Sequence, residues 1–242
     1  QVARAYVEAG SQIILTNTFG ANRITLERHG LADQAAAINR AGAEISKRAA
    51  GDRAKVFASI GPSGKMLMMG EVSADELRAA FDEQAQALAA GGADGLVIET
   101  MSDLTEITIA LGAAQATGLP VVASMTFDSG KNKDRTLMGV TPEEAAEALT
   151  EAGADVIGAN CGQGIEGYLA ICRRLRAATS LPLWIKPNAG LPEMINGQVV
   201  YRTTAQEFAS YAPAMREAGA TFLGGCCGSN PDFIRALAEA LS

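Results

Sequence analysis

The chain has 242 residues, 48% of them hydrophobic and 19% charged, with a formal net charge of −7. This balance is too apolar for a disordered segment, and its acidity argues against a nucleic-acid or membrane partner, which would need a basic surface. No uninterrupted apolar run approaches the roughly 18 residues of a membrane span. The opening QVARAYVEAG lacks the charged-then-apolar layout of a secretory signal, so a cytoplasmic location is expected.

In chain order, residues 1–9 read as a helix that closes in Ala-Gly, and the same junction then recurs before short apolar runs. It appears as EAGSQIIL from Glu8, AGGADGLVI from Ala90, EAGADVIGA from Glu151 and EAGATFLGG from Glu217, with ATGLPVVAS from Ala116 a looser copy. The glycine suits the left-handed position that ends a helix. The runs are short and do not alternate, as expected for strands buried on both faces of a parallel sheet. Strands are predicted at 12–15, 56–59, 95–98, 121–124, 156–159, 183–186 and 221–223.

Between the strands lie Ala- and Glu-rich stretches of helical period, such as 73–90 and 141–152. Thr141-Pro142-Glu143-Glu144 reads as a capping box with proline at the first helical position, and Ser229-Asn230-Pro231 opens the last helix in a similar way. The eight methionines, including Met66, Met68 and Met69, read as gap-fillers and loop packing, and 128–135 as a solvated polar loop. Strand and helix in regular alternation indicate an α/β fold. No G-x-G-x-x-G follows a strand, which favours a (β/α)8 TIM-type barrel over a dinucleotide-binding open sheet. A barrel needs eight strands, so the first is expected upstream of Gln1, with residues 1–242 forming a single, N-terminally incomplete barrel domain that depends on the missing piece for stability.

Active sites of such barrels form at the C-terminal ends of the strands. Three of the four cysteines fall there, Cys161 in GANCG and Cys226-Cys227 in GGCCG, while Cys172 reads as helix packing. Four cysteines are too few for a disulfide scaffold, and reduced thiols are expected. Three converging thiols make a soft-ligand site suited to Zn²⁺ with a fourth position open, the layout of a catalytic centre. The separation of Cys161 from Cys226 matches no zinc finger, so the barrel itself would have to assemble the site. Neighbouring strand residues face opposite ways, so the strand must break at Cys226-Cys227. Buried packing cysteines are the competing explanation.

Glu99 ends the buried run GLVIE and either anchors a substrate amine or forms a salt bridge across the rim. Lys186, ending WIK, is a Schiff-base lysine or an ion-pair partner of Glu99 or Asp128, and the ion pair is favoured. Asn17, Thr18, Asn160 and Asn188 are candidate substrate contacts, with loop closure the competing role for the last two. The single histidine, His29, lies in the polar stretch ERHGLADQ and reads as a solvated helix end, not a catalytic base.

These residues resemble the homocysteine S-methyltransferase family. GANCG at 158–162 and GGCCG at 224–228 are similar to its zinc-binding pattern; NTFGAN at 17–22, IETMSD at 98–103, MTFD at 125–128 and KPNAG at 186–190 also match. With NGQVVYRTTAQEFA at 196–209, the likeness is strongest to the homocysteine-binding barrels of the cobalamin-dependent methionine synthases. The resemblance implies that Cys161, Cys226 and Cys227 hold Zn²⁺, that the homocysteine sulfur takes the open position, and that Glu99 meets its amino group. It implies methyl transfer giving methionine, with methylcobalamin the first-choice donor and S-methylmethionine and betaine behind it. The family's Asp-Gly…Gly-Thr motif at the end of its first strand has no counterpart here. A Schiff-base phosphosugar lyase or aldolase using Lys186, and a non-catalytic zinc or corrinoid-partner module, are the alternatives.

Overall fold

A computed structural model describes residues 1–242. Its elements are α1 (Val2–Glu8), β1 (Ile13–Leu15), α2 (Arg23–Glu27), α3 (Ala35–Ala50), β2 (Lys55–Ile60), α4 (Ala74–Ala90), β3 (Gly95–Met101) and α5 (Leu104–Gln115). There follow β4 (Val121–Met125), α6 (Pro142–Glu151), β5 (Val156–Gly164), α7 (Ile165–Ala178), β6 (Leu183–Asn188), β7 (Glu193–Ile195) and β8 (Gln198–Val200). The chain ends with α8 (Ala205–Ser210), α9 (Ala212–Glu217), β9 (Ala220–Leu223) and α10 (Pro231–Leu241).

The helix starts follow the local chemistry. Ser73 with Glu76 and Thr141 with Glu144 form complete capping boxes, and Asn230 caps α10 ahead of Pro231. The recurring Ala-Gly junctions close helices as expected: Gly10, Gly92, Gly153 and Gly219 take φ of +99°, +86°, +84° and +108°, conformations that side-chain-bearing residues rarely adopt.

All seven predicted strands are present and lie in one sheet in the order β1-β2-β3-β4-β5-β6-β9, every pair parallel. The sheet curls into a half-barrel, consistent with a TIM-type fold. Its two faces take alternate residues. Leu96, Ile98, Val121, Ala123, Ile157, Leu183 and Ile185 face the helices within the main core of 42 buried residues. Val97, Val122, Val156 and Trp184 form a separate interior cluster, joined by Ile13, Leu15, Phe57 and Phe222. Phe57 and Trp184 stack there with ring centroids 6.1 Å apart.

Farther along the strands this inward series turns polar, through Ser59, Glu99, Ser124, Asn160 and Lys186. The apolar floor thus ends in a polar layer at the C-terminal rim, the layer that carries the site.

Three local features depart from the sequence expectations. β5 runs on to Gly164, with a register shift after Asn160. β7 and β8 pair as an antiparallel hairpin whose turn, Asn196-Gly197, has φ of +52° and +78°. Asn-Gly between two short strands is a strong hairpin signal, and NGQVV carries it. Met66, Met68 and Met69 are exposed on the loop after β2, so they fill no gaps.

β1 and β9 each pair on one side only. Between them lies a cavity of about 840 Å³, lined by Ile13, Leu15, Trp184, Phe222, Leu237 and Leu241 among others. The buried indole Nε1 of Trp184, one of the residues lining it, has no hydrogen-bond partner.

Candidate metal centre

The site is assembled from two strand ends. On β5 the regular ladder stops at Asn160, and Cys161 takes φ +63°. A left-handed residue that carries a Cβ costs about 1–2 kcal/mol, so its surroundings must fix it. Tyr168, fully buried on α7, donates its hydroxyl to the Cys161 carbonyl at 2.6 Å, and Thr126 Oγ1 donates to the Asn160 carbonyl at 2.9 Å. Burial holds the Tyr168 phenol well above its ordinary pKa, so it remains a donor.

On the other side β9 ends at Leu223, and the chain breaks from strand geometry before the paired cysteines, as their sharing of one site requires. The tail of β6 then holds the segment 224–228. Cys226 N–H donates to the Pro187 carbonyl at 2.8 Å, Ala189 N–H to the Cys227 carbonyl at 2.9 Å, and Cys227 N–H to Asn188 Oδ1 at 3.0 Å. Gly228 completes the turn at φ +80°, with the Tyr201 ring where a Cβ would stand.

As a result, the Sγ atoms of Cys161, Cys226 and Cys227 all lie within 4.8 Å of one another, and Cys161 and Cys227 are 3.8 Å apart. All are free thiols. A tetrahedral zinc with Zn–S of about 2.3 Å separates its sulfurs by about 3.8 Å, so the donor type and spacing both fit the ion. The hydrogen bond from Cys226 holds the Cys161 thiol below its ordinary pKa; the same bond and burial push Cys226 well up, and burial raises Cys227. Cys172 stands apart on α7, fully buried, with burial lifting its thiol to about 11.

Glu99 lies beside this cluster. Its Oε2 pairs with Lys186 Nζ at 2.9 Å, and its Oε1 accepts from Ser59 Oγ at 2.6 Å. The two ionic side chains are only 7% and 12% exposed. Of the alternatives open for Lys186, the ion pair with Glu99 is the one present. The Lys186 ammonium also lies 6.0 Å from the Trp184 ring centroid.

The asparagines and Thr18 show more closing of structure than free polar surface. Asn160 is fully buried and its amide is taken up by Thr100, Ser124 and Cys226. Asn188 is buried and clamps the Cys227 amide. Thr18 is buried and donates to the Ser59 carbonyl at 2.7 Å. Asn17 alone of these four is exposed. His29 is exposed after α2, away from any such network. Tyr168, Ser59 and Ser124 also support the site, and none of them lies in a cysteine motif. Ser59 and Ser124 could have been found from strand alternation, because both occupy inward positions at the rim. Tyr168 has no such signal, since only the fold brings α7 back under Cys161.

A family model described as homocysteine S-methyltransferase matches residues 1–241. The methionine synthases of Mycobacterium leprae and Mycobacterium tuberculosis are each 32% identical over 254 residues, which is 100% of this chain and 21% of theirs. The chain therefore spans about a fifth of the length of these curated relatives. Among solved structures, the metallated form of the homocysteine methyltransferase MmuM from Escherichia coli aligns with a TM-score of 0.82 at 25% identity, covering 100% of this chain and 83% of that one.

Proposed function

The chain belongs to the homocysteine S-methyltransferase family, and from that membership we propose that it moves a methyl group onto the thiol of homocysteine to give methionine, at a zinc ion held by Cys161, Cys226 and Cys227. The observation that carries this reading is the meeting of three sulfurs, all within 4.8 Å, from strand ends far apart in the chain.

A free thiol has a pKa near about 8.5 and is mostly protonated at neutral pH. Zinc, when bound, supplies the ionisation of the substrate thiol and leaves its sulfur nucleophilic. The chain's own residues do the rest. Cys161, Cys226 and Cys227 would hold the cation as thiolates, more than offsetting its charge, and would leave room for the substrate sulfur beside them. Glu99, inward-facing beside them, takes the amino group of homocysteine and fixes where its sulfur can reach. Lys186 and Ser59 hold that carboxylate in place, and the Phe57–Trp184–Phe222 stack lies beneath it as an apolar floor. The substrate sulfur forms its new bond to carbon as the donor–methyl bond breaks, and the thiol proton leaves to solvent. No tuned general base is required, which suits a chain whose one histidine is exposed. Asn17, exposed at the rim, is the remaining candidate for direct substrate contact; Thr18, Asn160 and Asn188 act by holding the loops.

Residues 1–242 form a single barrel domain of seven strands, with room for an eighth between β1 and β9. The free edges there, and the partnerless Trp184 indole lining the cavity between them, support this. Methylcobalamin is the donor that the likeness to methionine synthases favours, ahead of S-methylmethionine and betaine. The test is a donor panel with zinc-loaded protein and homocysteine. Methionine should form from methylcobalamin, cease on chelation and return with zinc; no methionine from any of the three donors contradicts the reading.

A further inference from the structure

We propose that Asn160 is a positioning residue that joins the two halves of the site, fixing the sulfur of Cys226 relative to the carboxylate of Glu99. This inference rests on the methyl-transfer reading above and concerns how the substrate's two ends are held in register.

The observation is a coincidence of irregularities. The β3–β4 ladder shifts register between Ile98 and Met101, and the β5–β6 ladder shifts between Asn160 and Gly164. In the first break Thr100 takes φ +63°; in the second Cys161 takes the same value. These are two of only four residues other than glycine with positive φ, and a β-branched threonine is among the least suited to it. Thr100 follows Glu99 directly, so its conformation decides where the Glu99 carboxylate is carried. Cys161 is a proposed ligand.

One side chain spans both breaks. Asn160 Oδ1 accepts from Thr100 N–H at 2.9 Å and from Ser124 Oγ at 2.7 Å. Its Nδ2 donates to Thr100 Oγ1 at 2.7 Å and to Cys226 Sγ at 3.9 Å. The residue is fully buried, so water cannot replace these partners. The amide is needed as an amide: the threonine N–H and the serine hydroxyl require an acceptor, while the threonine oxygen and the cysteine sulfur require a donor. Aspartate supplies only the first and leucine supplies neither. The donor aimed at sulfur also draws off part of its negative charge once it is ionised, as partners behind metal ligands do.

The test compares wild type, Asn160→Asp, Asn160→Ala and the double variant Asn160→Ala/Thr100→Gly in the full chain, loaded with zinc or Co²⁺. Three quantities are read: the sulfur-to-cobalt charge-transfer band, zinc affinity by chelator competition, and homocysteine affinity. Asn160→Asp keeps the acceptor but sets oxygen against the Cys226 sulfur, so the band should shift and zinc affinity fall by about 10- to 100-fold. Asn160→Ala should lower homocysteine affinity by about tenfold. Adding Thr100→Gly, which takes a left-handed φ unaided, should recover most of that loss while leaving the band shifted. Should Asn160→Ala fail to fold, the Asn160→Asp band and zinc affinity decide alone. A wild type that binds neither metal nor homocysteine overturns the functional reading and this inference with it. A wild type that binds both, beside an Asn160→Asp protein with the same band and affinity, overturns this inference alone, as does a folded double variant that recovers nothing.

Discussion

The middle of the sheet and its two margins are built differently. All five residues of β4 and six of the seven in β3 are buried, whereas β9 buries none and β1 one of three. The cysteines straddle this divide: Cys161 continues a strand from the closed side, while Cys226 and Cys227 follow the thinly covered β9. Yet this pair is pinned to the closed side, because its backbone hydrogen-bonds to Pro187, Asn188 and Ala189 at the end of β6. The position of a ligand here depends on which neighbouring strand end the loop is pinned to, and not on how well its own strand is packed. The site belongs to the closed side although two of its sulfurs arrive from the open one.

If so, cysteines from the two sides should matter equally. Cys161→Ala, Cys226→Ala and Cys227→Ala should each reduce bound zinc from about one per chain to a small fraction of that and abolish transfer, as elemental analysis and a methionine assay would show. Full zinc content in Cys227→Ala would break the equivalence. Glu99→Gln should leave zinc in place while lowering homocysteine affinity by about tenfold or more, read by calorimetry. It should also lower the melting temperature, since removing one partner strands a buried lysine charge. Unchanged homocysteine affinity would contradict the role in amine binding. The smallest effect should come from the margin: a strand-forming segment that seats between β1 and β9 should raise the melting temperature, with zinc affinity nearly unchanged. A matching gain in zinc affinity would show that the seam and the site are coupled after all.

Much of this was legible in the sequence because the signals are local and repeated. The Ala-Gly junctions punctuate the helices, the apolar runs mark the strands, and GANCG and GGCCG put three thiols on one rim. The hairpin at 193–200 is signalled only by its turn, Asn196-Gly197, because its strands are three residues each and too short to show a period of their own. The roles of Asn160 and Asn188 were less legible: both stand at strand ends, where a substrate contact and a loop clamp look alike in sequence, and only burial and partners separate them. Tyr168 and Thr100 carried no signal, since what matters about them is a hydroxyl reaching back under Cys161 and a left-handed turn after Glu99.

The most direct test of the central claim is the sulfur count around bound zinc, by X-ray absorption at the zinc edge, before and after homocysteine is added. Three protein sulfurs at about 2.3 Å should become four when homocysteine is present, and the three should fall to two in Cys161→Ala if any metal is retained. A wild-type count below three, or one that homocysteine leaves unchanged, would contradict it.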